Sequence, residues 1–163
     1  ALINGHAFAG GLMTAITYNY RVMNLYKGFL CLNKLEFGAG LRPVITSLFR
    51  IKLSMSTFRN MVLESKRYPA LEALKEGILD GVGGIDEALA FVEEMKLVQK
   101  AQGTSYGKIK EELYREIVKD LDEGAELAKV EARRDLEKSR RDLDARTRVD
   151  EWEALTGTQR AKL

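Results

Sequence analysis

Ala1-Leu2-Ile3-Asn4-Gly5-His6-Ala7-Phe8-Ala9-Gly10-Gly11-Leu12 opens the chain and decides how the rest is read. An apolar run ends at Asn4-Gly5, a glycine-rich loop comes next, and a helical pattern starts behind it. A strand feeding such a loop and then a helix N-terminus leaves backbone N–H groups unpaired and aimed at one spot. The positive end of the helix dipole lies behind them. That suits a phosphate, or an oxyanion formed during a reaction. The same pattern also serves as a tight strand–helix connection that needs Gly for backbone conformation only.

Composition narrows what the loop can serve. A length of 163 residues fits one domain. Apolar and charged shares of 45% and 31% are those of an ordinary globular protein. A net charge of +2 makes no case for nucleic acid or an anionic membrane as partner. No apolar run is long enough to span a bilayer. Cys31 is the single cysteine, which excludes an internal disulfide and fits a reducing compartment. His6 is the single histidine, which argues against a His-rich metal site or a Ser-His-Asp triad within the chain. The chain starts without Met on what reads as a mid-domain strand, so the expectation is a fragment, or a natural truncation, lacking an upstream part.

Behind the loop, residues 12–20 carry a helical pattern with apolar side chains at Leu12, Ala15, Ile16 and Tyr20. Residues 20–23 read as a strand, 24–27 as a turn, and 28–32 as a second strand in which Cys31 packs as a small apolar side chain. Residues 33–37 are expected to continue as a short extended piece. Pro43 opens a helix over 44–53, Ser54 caps the next over 55–64, and Pro69 opens a third that Gly77 ends. Residues 78–82 read as a short strand. Asp86 is the expected cap of a helix reaching residue 100, and a loop with Gly103 and Gly107 precedes a helix over 108–121.

From residue 122 the composition shifts to Arg, Lys, Asp and Glu, with sparse apolar residues at Leu127, Val130, Leu136, Leu143 and Val149. Opposite charges fall at helical spacing, as in Glu137 with Arg141. The reading is a long solvated helix over 122–153 that serves as a partner-binding arm. A coiled coil and a charged, partly frayed tail remain open as alternatives. Residues 154–163 read as a flexible tail.

Two segments then carry a family resemblance. Asn4-Gly5-His6-Ala7-Phe8-Ala9-Gly10-Gly11 resembles the N-G-[HY]-A-x-G-G-G signature of the enoyl-CoA hydratase/isomerase (crotonase) superfamily. Ala70-Leu71-Glu72-Ala73-Leu74-Lys75-Glu76-Gly77-Ile78-Leu79-Asp80-Gly81-Val82 resembles its A-x-E-A-L-x-x-G-[IL]-[VL]-D-x-V segment, in order and at the family's spacing. The stretches between them are most similar to the plant and fungal peroxisomal enoyl-CoA isomerase branch. The resemblance covers residues 1–121.

It implies an α/β fold, the second half of a crotonase-like spiral of strand–strand–helix turns, with C-terminal helices and the long charged helix after it. It implies a CoA thioester as substrate and no separate cofactor. The thioester oxygen would sit at two backbone N–H donors. Gly10 is the matching donor, with Ala9 and Gly11 completing the cradle; the partner donor would lie upstream. Ala9 replaces the first Gly of the triplet, which is tolerable if its φ is negative. Hydratases of the family carry Glu at the positions of Met13 and Lys34. Hydration needs both carboxylates, so hydratase activity is not expected. Isomerisation needs one base. Lys34 stands at its position, and Glu36, expected on the same face of an extended strand, is the nearest alternative. His6 is expected to bond backbone rather than move protons.

Ala161-Lys162-Leu163 matches the small–basic–Leu pattern of a C-terminal peroxisomal address, which implies an import receptor as partner. The expected protein is thus a peroxisomal enoyl-CoA isomerase of fatty-acid oxidation or secondary metabolism. It would be a homo-oligomer, a trimer in the family, or paired with another chain that covers its open edge. The rival is a catalytically impaired acyl-CoA-binding or assembly protein. A helical interaction module built on the charged arm is the third reading.

Overall fold

The computed structural model describes residues 1–160. Contacts divide the chain into two compact units, residues 1–121 and 122–163. In the first, strands and helices alternate as β1 (Leu2–Ile3), β2 (Ala7–Phe8), α1 (Gly10–Thr17), β3 (Val22–Met23), β4 (Leu30–Cys31), α2 (Pro43–Lys52), α3 (Met55–Leu63), α4 (Ala70–Lys75) and β5 (Gly81–Val82). Then come α5 (Ile85–Glu94), α6 (Leu97–Ala101), α7 (Thr104–Leu113) and α8 (Arg115–Asp122).

The odd strands form one parallel sheet in the order β1-β3-β5, and β2 pairs with β4 in a second. Ile3 lies opposite Met23, and Phe8 opposite Cys31. Each turn of chain therefore gives its first strand to one sheet and its second strand to the other. A helix then carries the chain back, as a parallel pairing requires. Tyr68 extends the second sheet by an antiparallel bridge, with N–H···O distances of 2.8 and 2.9 Å to Leu30. This is the expected α/β spiral.

Strands of two residues cannot hold a sheet by themselves, so packing must. α1 turns Leu12, Ala15 and Ile16 inward at the i, i+3, i+4 spacing. They meet Met23, Leu30, Leu32, Phe49, Met61 and Ile78 in one buried cluster. Ser54 caps α3 as expected, its Oγ accepting the Thr57 N–H at 3.1 Å. Gly77 ends α4 in the left-handed region at φ 69.

Several boundaries differ from the sequence reading. Residues 33–38 form a turn, not an extended piece, with Gly38 at φ 62. Ile78 and Leu79 are drawn onto the Ala73 carbonyl and into the core, so only Gly81–Val82 pairs as strand. The helix expected to run to residue 100 breaks at Lys96, φ 51. Its N-terminus is closed by the Glu87 carboxylate accepting the Gly84 N–H at 2.7 Å, not by Asp86. Gly107 lies inside α7.

Helices α5 to α8 contain no buried residue. Ile117 of α8 packs partly buried against the core, and polar ties hold α7 and α8 beside it. Lys52 Nζ donates to the Tyr18 carbonyl and to Asn19 Oδ1, each at 3.3 Å, and to the Tyr114 hydroxyl. Tyr114 donates in turn to Asn19 Oδ1 at 2.9 Å, and Ser47 donates to Asp120. Beside this group Arg21, only 3% exposed, donates to the carbonyls of Ile78 (2.6 Å) and Tyr18 (3.0 Å).

In the second unit α9 (Gly124–Arg160) is one helix of 37 residues. Ion pairs Lys129–Glu126 (2.6 Å) and Arg141–Glu137 (3.5 Å) line it. Val130, Leu136, Leu143, Val149, Trp152 and Leu155 are exposed along it. The helix continues through 154–160, where a flexible tail was expected; Ala161, Lys162 and Leu163 lie outside the described residues. Among the described residues no helix is long and apolar enough to cross a membrane.

The packing can be tested at two points. Gly28, at φ 83, passes across the β1–β2 turn, and a Cβ there would lie 2.5 Å from Gly5 C and His6 N. Gly28→Ala should cost about 3 kcal/mol or more, measured by urea denaturation. Burial, then the cations Arg21 and Lys110, lowers the Lys52 ammonium to about 8 from 10.5. Between those values the unfolded chain binds more protons than the folded one, so the Lys52 penalty, full below pH 8, is relieved as pH rises towards 10.5. The stability of wild type relative to Lys52→Gln should therefore climb across that window, as denaturation at several pH values would show.

Candidate functional site

The site is built where β2 and β4 end together. The Ala9 N–H donates to the Cys31 carbonyl at 3.0 Å, one step beyond the last strand pair. The chain then turns into α1. Ala9 takes φ 40 and ψ −109, a conformation suited to Gly. This corrects the expectation of a negative φ. Its N–H must stay in the ladder while its carbonyl swings round to accept the Met13 N–H at 2.9 Å.

That bond is the first of the helix ladder. The N–H groups of Gly10, Gly11 and Leu12 therefore have no acceptor among the described residues, and no side chain caps the helix. Gly10 and Gly11 are exposed. A Cβ on Gly10 would meet nothing within 4 Å, and one on Gly11 would meet Ala7 at an ordinary 3.9 Å. Neither glycine has a positive φ. Backbone conformation alone therefore does not explain them; the one residue of the loop that needs a glycine's freedom is Ala9. What the two glycines leave is open space over unpaired donors.

The turn carrying Lys34 and Glu36 departs from the same edge, three residues beyond Cys31. The Lys34 N–H donates to the Leu32 carbonyl at 2.9 Å, and its own carbonyl accepts the Ala39 N–H at 3.0 Å. The two side chains therefore do not share a strand face, which corrects the extended reading. Lys34 is half-buried, and Glu36 is exposed. Glu36 nevertheless acts on the strand behind it. Burial first, and then the Glu36 carboxylate, push the Cys31 thiol up, while Arg67 pulls it down. Cys31 itself is inert packing, its Sγ donating to the Ser65 carbonyl at 3.2 Å. Met13 is half-buried against the core.

His6 does not bond backbone. Its ring lies 4.6 Å from Phe29, edge-on, and 5.2 Å from Phe8. The Arg67 guanidinium lies 5.2 Å above Phe29. His6, Phe8 and Phe29 thus form one ring cluster, with Arg67 over Phe29. Asn33 was not singled out by sequence. It sits beside Lys34, and its buried Oδ1 has no hydrogen-bond partner. No sequence pattern marks it. Among the described residues no three His, Cys, Asp or Glu side chains gather as a metal site would need.

No family model matches the chain. It is 29% identical over 128 residues to enoyl-CoA delta isomerase 3 of Arabidopsis thaliana, covering 75% of this chain and 54% of that protein. It is 30% identical over 125 residues to the plant's peroxisomal enoyl-CoA delta isomerase 1, covering 72% and 51%. Among solved structures, an enoyl-CoA hydratase from Mycobacterium ulcerans superimposes with a TM-score of 0.62 at 20% identity, covering 78% of this chain and 55% of that one. The chain has the crotonase fold and is similar in sequence to enoyl-CoA delta isomerases. A probable enoyl-CoA hydratase from Mycobacterium tuberculosis shares the crotonase fold at a TM-score of 0.66 and 16% identity, covering 83% and 56%. The chain spans about half the length of the curated relatives it matches.

The crotonase spiral accounts for the alternation of strands between two sheets. It also accounts for the donors of the Gly10 turn standing clear of the chain's own packing. The strain at Ala9 is then a local cost of this turn carried on a non-glycine residue. Ala9→Gly should raise stability by about 1 kcal/mol, relief of the positive φ outweighing the added freedom of the unfolded chain. Thermal or urea denaturation would read it.

Proposed function

We propose that this chain forms part of an enoyl-CoA isomerase-type protein that shifts a double bond in an unsaturated acyl-CoA. The observation that carries the proposal is the set of N–H groups at Gly10 and Gly11, unpaired, exposed and backed by α1. A base removes the proton between the thioester carbonyl and the double bond. The electron pair moves onto the thioester oxygen, and the Gly10 N–H donates to the resulting enolate. The proton returns to the far carbon of the former double bond, so no atom is gained or lost. One such donor is worth about 3 kcal/mol of barrier. The second donor lies outside these residues.

The base is the Glu36 carboxylate. An ammonium at Lys34 cannot accept a proton, and Met13 has no acid–base chemistry. Hydration, which uses two carboxylates, is therefore disfavoured, and the curated relatives, named isomerases, support the one-base reaction. The substrate is the CoA thioester itself, with no further cofactor. Peroxisomal location is proposed from two relatives named as peroxisomal and from the tripeptide at 161–163, which an import receptor would read. A homo-oligomer, or another chain along the open strand edge, completes the assembly.

The second reading is an acyl-CoA-binding or assembly protein without turnover. It is favoured by Met13 and Lys34 standing where the superfamily carries its carboxylates. The two readings part on activity. Glu36→Gln should lower isomerase turnover by about 100-fold or more, and Lys34→Glu should raise it. Full activity in Glu36→Gln would remove that residue as base, and an unchanged rate in Lys34→Glu would show that position 34 does not face the substrate.

A further inference from the structure

The segment that carries Glu36 is fastened to the molecule only at its ends. Among the described residues, 34–40 make hydrogen bonds only within the segment and to Leu32. The Lys34 N–H donates to the Leu32 carbonyl at 2.9 Å, Gly38 to Leu35 at 3.1 Å, and Ala39 to Lys34 at 3.0 Å. Before the segment Leu32 is fully buried, and after it Leu41 packs against the core. Between these anchors residues 35–40 are all exposed. The Gly38–Leu35 and Ala39–Lys34 bonds close the turn on itself, so it can move as one body. Gly38, at φ 62, and Gly40 lie in open space on its return limb and leave it free to swing.

The turn also holds apolar side chains that nothing in the chain covers. Leu35 is 58% exposed and Phe37 72% exposed, and they flank Glu36 in sequence. Scattered exposed apolar residues are ordinary. These two lie on a segment with no packing of its own, on either side of the carboxylate that must take a proton from carbon. The segment departs from the edge where the Ala9 N–H is bonded to the Cys31 carbonyl at 3.0 Å, and Gly10 follows Ala9. The α-carbon of a thioester lies two bonds from its oxygen. A substrate held by that oxygen at Gly10 therefore puts the carbon that Glu36 must reach, and the hydrocarbon beyond it, at this edge. An acyl chain is the cover that this placement supplies.

We propose that the turn over 34–39 is a lid that closes on the acyl chain of a thioester held at Gly10, with Leu35 and Phe37 packing on the hydrocarbon as Glu36 is brought to the α-carbon. The proposal rests on the acyl-CoA reading. Closure excludes water from the reacting carbons and completes the site in one movement. It also makes Leu35 and Phe37 the residues that set chain-length preference. Each methylene buried beneath them adds apolar contact, so long chains hold the lid shut and an acetyl group does not.

Hydrogen exchange of the full chain with decanoyl-CoA, a saturated thioester that cannot isomerise, reads the lid without turnover. The amides of 35–40 should exchange about 10-fold more slowly with decanoyl-CoA bound, and at their free rate with acetyl-CoA. In calorimetric titration Leu35→Ala and Phe37→Ala should each weaken decanoyl-CoA by about 10-fold and leave acetyl-CoA unchanged. Both side chains are exposed, so these variants should melt as the wild type does. Decanoyl-CoA that binds while 35–40 exchange at their free rate, or that binds Phe37→Ala as tightly as wild type, overturns the lid and leaves the acyl-CoA reading standing. Failure of both thioesters to bind overturns the two together. Self-association that Phe37→Ala abolishes, with exchange at 35–40 indifferent to decanoyl-CoA, assigns these side chains to a second copy and also overturns the lid.

Discussion

A single backbone hydrogen bond, from the Ala9 N–H to the Cys31 carbonyl, sets the geometry on which the rest depends. It fastens the end of one turn of the spiral to the end of the next. Because the pairing is parallel, both strands finish at the same edge, and the segment leaving each of them is delivered there. β2 leads into the N-terminus of α1 with its unpaired N–H groups. β4 leads into the turn of Lys34 and Glu36. The donors and the carboxylate of that turn are thus assembled by topology, from segments more than twenty residues apart in sequence.

The same bond explains the strain at Ala9. Holding the N–H in the ladder while the carbonyl begins a helix forces a positive φ, the conformation for which glycine is suited. Gly10 and Gly11 answer to a different demand. Their backbone is ordinary and their faces are clear of the chain's own atoms. Glycine at a position that the protein's packing does not require points outward, to something approaching the backbone, and that is the physical content of the site.

Stability is distributed unevenly around this centre. Leu12, Ile16, Met23, Leu30 and Phe49 form a core that two-residue strands could not hold without it. Helices α5 to α8 contribute no fully buried side chain; Phe91 of α5 packs 5.6 Å from Tyr20, Ile117 of α8 packs against the core, and Lys52, Asn19, Tyr106 and Tyr114 tie α7 and α8 down. The polar part of that attachment responds to pH through Lys52, whose ammonium burial and neighbouring cations lower to about 8.

Two motifs made the spiral legible, because the Asn4–Gly11 and Ala70–Val82 patterns are local: each encodes one strand–loop–helix transition in consecutive residues. Helix starts at Pro43 and Ser54 were legible for the same reason, since a cap acts within one turn. The α/β class and the placement of Gly10 at a helix N-terminus needed nothing more. The turn at 33–38, the sign of φ at Ala9, the ring stack of His6 and the shortening of the strand at 78–82 were not legible. Each is decided by a partner distant in sequence: Cys31 for Ala9, Phe29 for His6, the core for Ile78. The sequence alone determined which residues could donate, accept a proton or carry charge. Only the tertiary structure decided which of them share an edge, because parallel pairing joins residues through a crossover whose register no local pattern contains.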